Sequence, residues 1–230
     1  ILADTLRAFA DELEKSSNFD EDLQSLIKRE ITDHWKILFN GNGYTDDWVK
    51  EAERRGLKNY RTTPDAIEHY LDKKNIDLFT RMQIYTPEEM KSHYEIKLEK
   101  YCQVLNIEVN TMLEMISKDI LPACYKYISA VSKTAADLKA VVPSAKAEAE
   151  TTLLLKLDSL ADSLSQKAEK LDKVHKEAVG EKDAMAVAKS YADKVIPVMA
   201  ETRAVADELE ELIAEEYKPF PSYEDLLFRV

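Results

Sequence analysis

The chain has 230 residues, 45% of them apolar, enough to bury one good hydrophobic core or two small ones and too apolar for a disordered polymer. Its 32 basic and 44 acidic side chains leave a net charge of −12, which repels phosphate backbones and argues against nucleic acid as a partner; the charge reads first as a solubility feature, with a cationic partner as the functional alternative. No apolar run approaches the ~18 to 20 residues of a membrane span, and no basic–apolar–small leader precedes the first helical pattern, so no membrane is expected.

The first residue is Ile1 rather than Met, which suggests a fragment of a longer chain or a trimmed N-terminus; a processed secreted protein would start the same way. The two cysteines, Cys102 and Cys124, argue weakly against secretion. On one continuous helix their 22-residue separation amounts to about 33 Å, too far for a disulfide, and both read as small core residues.

Only four glycines occur, and Ala, Leu, Glu and Lys abound, so helix is expected almost throughout. The first helix is predicted over about 1–15, with Leu2, Leu6, Phe9 and Leu13 on one face. The second covers about 20–36, with Leu23, Leu26, Ile27, Ile31 and Trp35. Ile37-Leu38-Phe39 is the one short strand candidate. Asn40-Gly41-Asn42-Gly43 is a turn by composition. Thr45 is positioned to cap a third helix, whose Asp46 and Asp47 suit the helix dipole and whose end falls at Gly56. Thr63-Pro64-Asp65 opens another helix with proline at its first position, and a further short one covers about 75–83.

The second half changes character. Thr86-Pro87-Glu88-Glu89 is a capping box that opens a helical pattern reaching about 141, which Pro122 must kink or break. Pro143-Ser144 ends it and caps a helix over about 145–178. Val179-Gly180 reverses the chain into a last long helix, about 182–216, with Pro197 inside. Ser222 is placed to cap a short terminal helix. Leu153, Leu157, Leu160, Leu164, Leu171, Val174 and Ala178 step alternately by four and three, with Lys167 in one slot. Met185, Ala188, Ala192, Val195, Met199, Thr202, Ala206, Leu209 and Ile213 do the same, so an antiparallel hairpin is expected. Its stripe either grips a partner as an exposed arm or faces the preceding helix in a three-helix bundle. The small residues of the last stripe favour the bundle. The expected organisation is a short-helix region, 1–85, a long-helix bundle, 86–217, containing the hairpin 144–217, and a terminal segment, 218–230.

Chemistry is sparse. His34 and His93 each follow a glutamate by four residues, Glu30 and Glu89, which reads as a surface pair rather than a metal site; no Glu-x-x-His occurs anywhere. His69 and His175 have no such neighbour. Neither GxGxxG, GxxxxGK[ST] nor GxSxG is present, and the acidic pairs fall in first helical turns where capping explains them. No catalytic, cofactor-binding or metal-ligating residue is assigned. On these grounds alone the chain is an all-α helical bundle of unstated role.

Phe39-Asn40-Gly41-Asn42-Gly43-Tyr44-Thr45-Asp46-Asp47-Trp48-Val49-Lys50-Glu51-Ala52-Glu53-Arg54-Arg55-Gly56-Leu57 resembles a stretch of the type III glutamine synthetases. So do Thr62-Thr63-Pro64-Asp65-Ala66, Ser92-His93-Tyr94-Glu95-Ile96, Glu99-Lys100-Tyr101-Cys102, Asn106-Ile107-Glu108 and Ile120-Leu121-Pro122-Ala123. The end, Pro219-Phe220-Pro221-Ser222-Tyr223-Glu224-Asp225-Leu226-Leu227-Phe228, resembles that family's terminal motif. The matches are ordered and span nearly the whole chain, whereas 144–215 is similar only in helical character.

The resemblance implies the C-terminal portion of a cytoplasmic enzyme that makes glutamine from glutamate and ammonia, using ATP and Mg (or Mn) through a γ-glutamyl phosphate. The residues for that chemistry lie in an upstream catalytic domain, and this segment alone is expected to be inactive. The implied partners are that catalytic domain and further copies, in two stacked hexameric rings. The alternative is a helical interaction module with the hairpin as its arm. Candidate interface residues are Tyr44, Trp48, Phe220, Tyr223, Leu227 and Phe228, large apolar groups in short elements that bury little on their own.

Overall fold

The computed structural model describes residues 1–228, apart from the side chains of 223 and 224, and among these residues the fold is all-helical with no strand. The strand candidate is instead a 3-10 turn, Trp35–Ile37, followed by extended Leu38. The chain divides into two compact units, Ile1–Lys91 and Ser92–Val230.

The first unit contains α1 (Leu2–Leu13), α2 (Phe19–Asp33), α3 (Asp46–Arg54), α4 (Thr63–Ile67) and α5 (Lys73–Arg81), followed by the start of α6 (Pro87–Met115). Local chemistry sets the boundaries. After α3, Gly56 adopts φ +73°; its N–H donates to the Glu53 carbonyl and that of Leu57 to the Ala52 carbonyl, the paired closure that a left-handed residue makes possible. Thr45 stands at the cap position but does not cap: its hydroxyl donates to the Asn42 carbonyl at 3.0 Å, tightening the preceding turn instead. Thr62 is the cap of α4, accepting from Asp65 N–H at 3.3 Å, so Pro64 falls one position later than expected. The capping box of α6 forms as read: Thr86 N–H donates to Glu89 Oε2 at 2.8 Å and Glu89 N–H to Thr86 Oγ1 at 3.1 Å.

Burial in this unit is thin. Besides Pro64, its buried apolar side chains among the described residues are Leu26, Ile67 and Met90. Helix α1 buries none, and the apolar face read for α2 is largely open, with Ile27, Ile31 and Trp35 each at least half exposed. Surface ion pairs tie the helices instead. Arg29 grips Glu12 with two 2.8 Å bonds, and Arg81 grips Asp4. Each arginine holds its carboxylate below the usual range, but pairs this exposed contribute little stability.

The second unit is a bundle of three helical lengths. The first runs through α6, a π-helical turn at Ile116–Ile120 and α7 (Leu121–Val141). The second is α8 (Glu148–Val179). The third runs through α9 (Ala184–Ser190), a π-helical turn at Tyr191–Val195 and α10 (Ile196–Leu212). A 3-10 turn at Glu215–Tyr217 leads to α11 (Tyr223–Phe228).

Both prolines are absorbed in one way. Pro122 and Pro197 each lie two residues past a π turn, whose wider backbone loop lets the ring clear the carbonyl behind it. Neither proline breaks its helix. At the other end of the expected cap, Ser144 does not start α8. The chain turns through Ala147 in a left-handed conformation, φ 50° and ψ 43°, and the helix begins at Glu148.

Helices α8 and α10 run antiparallel: Lys156 pairs with Glu208 at 3.0 Å, while Lys167 and Lys170 both reach Glu201, at 3.2 and 3.0 Å. Two cores fill the bundle. One joins Ile116, Cys124, Leu157, Ala161, Leu164, Ala206, Leu209 and Ile213. The other joins Leu105, Val109, Leu171, Ala178, Tyr191, Val195 and Val198. Each draws on all three lengths, so the hairpin's stripe faces inward.

The heptads are partly out of register with the core. On α8 the buried positions are Leu157, Ala161, Leu164, Leu171, His175 and Ala178, with Leu160 only partly buried. Reading for the largest apolar residue at each step selects 160 and 174, whereas the close approach of the third helix admits alanine and histidine at 161 and 175. Along that third helix Tyr191 and Val198 take the buried places read as Ala192 and Met199, on either side of the residue that the π turn inserts.

Candidate functional site

The Asn40–Tyr44 loop of the first unit is built around an arginine. Arg55 ends α3 and turns back under the loop, with its guanidinium carbon 5.5, 5.9 and 5.7 Å from the ring centres of Trp35, Phe39 and Trp48. Phe39 and Trp48 stack on each other at 4.3 Å. The same guanidinium donates to the Leu38 carbonyl at 2.7 Å, the Lys36 carbonyl at 3.4 Å and Glu51 at 2.5 Å. Its side chain keeps only 13% of its surface exposed. Glu51 lies between Arg54 and Arg55, and those bonds, Arg54's first, hold its carboxyl at a pKa of about 2.

The loop itself packs tightly. A Cβ on Gly41 would stand 2.4 Å from the Phe39 ring, so only glycine lets the backbone cross that aromatic face. The Asn42 side chain accepts from Tyr44 N–H at 3.0 Å. At the apex Tyr44 touches nothing, with 102% relative exposure. Trp48, by contrast, is half-buried in the cage. Trp35, Ile37 and Leu38, in the segment before the loop, are exposed as well, so the first unit presents aromatic and aliphatic side chains to solvent. Arg55 escaped sequence reasoning. The available signal was a Glu51–Arg55 pair four residues apart, directly before the helix-ending glycine and flanked by aromatics.

In the second unit an open groove of about 770 Å³ lies between the end of α6, α10 and the terminal segment, lined by Met112, Met115, Met199, Ile116, Phe220 and Leu226 among others. Phe220 is half-buried there, so that part of the tail folds onto its own bundle. Tyr217 helps by packing on Tyr127 at 5.3 Å. Ser222 and Asp225 make a reciprocal cap for α11. Leu227 and Phe228 remain exposed, and the Tyr223 side chain lies outside the described residues.

One buried polar cluster sits in the second core. His175 meets the Asn106 side-chain oxygen at 2.9 Å and faces Tyr191, whose hydroxyl has no partner; the Ser190 hydroxyl is likewise buried and unpaired. Burial pushes the His175 pKa down and the Tyr191 pKa up. Burial also raises both thiols, Cys102 and Cys124, which are free. Glu30 and His34 form a 3.3 Å surface pair. Among the described residues no three His, Cys, Asp or Glu side chains converge as a metal site. No helix among them is long and apolar enough to cross a membrane.

A family model described as the glutamine synthetase C-terminal domain matches residues 22–139, a span that contains the caged loop, α6 and nearly all of α7. A glutamine synthetase of Butyrivibrio fibrisolvens is 38% identical over 208 residues, covering 90% of this chain and 30% of that protein. A type-3 glutamine synthetase of Dictyostelium discoideum is 29% identical over 235 residues, covering 99% of this chain and 32% of that protein. A glutamine synthetase of Bacteroides fragilis is 26% identical over 220 residues, covering 94% and 30%. The chain therefore spans about a third of the length of the relatives it matches.

Proposed function

The chain belongs to the family of glutamine synthetase C-terminal domains, and we propose that it serves a cytoplasmic, ATP-dependent glutamate–ammonia ligase as a non-catalytic helical region that packs against the rest of the enzyme. One observation carries this reading. The first unit buries few apolar side chains and exposes several large ones close in sequence, Ile27, Ile31, Trp35, Ile37, Leu38 and Tyr44, in the part of the chain that the family model covers. Surface of this kind marks an interaction site, and relatives about three times as long supply the polypeptide to cover it.

The ATP and magnesium or manganese of the reaction belong, on this reading, to the remainder of the enzyme, and no catalytic step is routed through these helices. The exposed tail residues Leu227 and Phe228 form a second contact, between subunits of the ring assembly that the type III resemblance implies. Burial of Leu157, Leu164 and Leu209 within the bundle weighs against the hairpin as a free partner-binding arm.

Ile31→Glu in the full-length enzyme tests the reading. The charge falls on the exposed stripe of α2, so the helix itself tolerates it, while assembly or glutamine formation should fall by about tenfold or more. Parent-like assembly and activity would overturn the reading. Deletion of residues 219–230 tests the tail separately, with weakened rings expected. The isolated chain should form no glutamine and show no micromolar ATP binding by calorimetry.

A further inference from the structure

A fully exposed tyrosine on a rigid turn needs an explanation. Exposed turns are ordinarily mobile, yet this one is fastened at several points. Arg55 reaches two carbonyls of the 36–38 segment and lies against three aromatic rings. Gly41 is pressed onto Phe39, and Asn42 closes the turn before Tyr44. Taking a guanidinium largely out of water is costly unless its donors and faces are satisfied. Here Nε and Nη1 donate and the guanidinium lies against three rings, and the result is a held backbone that presents a side chain making no contact within the chain. Fixing a loop in its bound shape lowers the ordering cost of association, and tyrosine is among the residues that carry most of the binding energy at interfaces.

We propose that Arg55 is the positioning residue of an interface knob: it holds the 39–48 loop so that Tyr44 enters a concave, largely apolar socket on another part of the same glutamine synthetase polypeptide. The occupant follows from the extent of the family. This chain accounts for about 30% of its relatives' length, so most of each enzyme lies outside it and is available to form the socket. The inference rests on the packing role proposed above and adds to it the contacting side chain and the residue that aims it. Lysine cannot replace Arg55: it keeps the charge but has no planar face for three rings and no fork to span two carbonyls and Glu51.

Tyrosine nitration by tetranitromethane, followed by peptide mass spectrometry on the full-length enzyme, tests this directly. Tyr44 should react about tenfold more slowly than N-acetyltyrosinamide, the ring being enclosed. Arg55→Lys should bring Tyr44 close to the free rate. Tyr44→Ala should reduce assembly or activity, and adding Arg55→Lys to Tyr44→Ala should cost nothing more; a purely structural arginine would add its full penalty. Tyr44 nitrated at the free rate in the parent enzyme overturns the inference. If Ile31→Glu nevertheless disrupts that enzyme, the packing role survives without the knob; if it does not, both fall.

Discussion

The two units of this chain are made of similar residues and use them differently. Among the described residues, the first 91 bury three apolar side chains besides proline, and the remainder bury 20. The long helices close upon themselves. Each alternating stripe finds two facing stripes, and leucines such as Leu157, Leu164, Leu171 and Leu209 are fully enclosed. The short helices have amphipathic sequences of the same kind, but much of the apolar side of α1 and α2, at Leu2, Leu6, Ile27 and Ile31, stays exposed. Apolar periodicity therefore specifies that a face must be covered without specifying by what. In the bundle the cover is intramolecular, and in the first unit we attribute it to the rest of the enzyme.

The largest expected effect sharpens the contrast. Leu164→Ala, at a fully buried site, should lower unfolding free energy by about 2–5 kcal/mol in denaturant titration, whereas Ile31→Ala, half-exposed in the chain alone, should stay within about 0.5 kcal/mol. Comparable losses at the two sites would erase the distinction. Leu160→Ala should fall between them, since that side chain is only partly buried.

A smaller effect comes from acid. His175 is buried, and desolvation lowers its pKa; Lys176 pushes the same way, while Asp172 opposes. The unfolded chain therefore binds this proton more readily than the folded one. Stability from His175 is complete above its unfolded pKa of about 6.5 and is lost as pH falls through the lower folded value. His175→Gln should flatten the pH dependence of melting on the acid side of the unfolded pKa of about 6.5, and an unchanged slope would show that other groups dominate. The first unit holds no such buried histidine among its described residues, so its own acid response should come from exposed pairs such as Asp4–Arg81.

The smallest effect concerns the junction. Thr86→Ala removes one half of the capping box and should cost about 1 kcal/mol, read as a lower melting temperature. A loss near zero would mean that Glu89 alone holds the turn.

Much of the helical layout was legible because it depends on local chemistry. Gly56, the Thr86–Glu89 box and the Ser222 cap act within four residues, and their elements fall where expected. The legible part fades as the determining contacts become distant. Ser144 looks like a cap, but the buried left-handed turn at Ala147 sets the start of α8. Pro122 was read as a kink or break and Pro197 as an internal proline, and each follows a π turn that absorbs it. His175 was missed because a polar residue was not counted as core. Of the candidate site, Tyr44 and Trp48 could be named from composition. Arg55 could not, because what distinguishes it is the convergence of three rings from the two sides of the loop, Trp35 and Phe39 before it and Trp48 after it.

Amide hydrogen exchange, compared between the 230-residue chain and the full-length enzyme, tests the central claim most directly. The account expects α1, α2 and the 35–48 segment to exchange at least about tenfold more slowly in the full-length enzyme. Residues of the bundle core, around Leu157, Leu164 and Leu209, should be protected alike in both. Equal exchange of the first unit in the two proteins would contradict the claim that its open apolar face is covered by the rest of the enzyme.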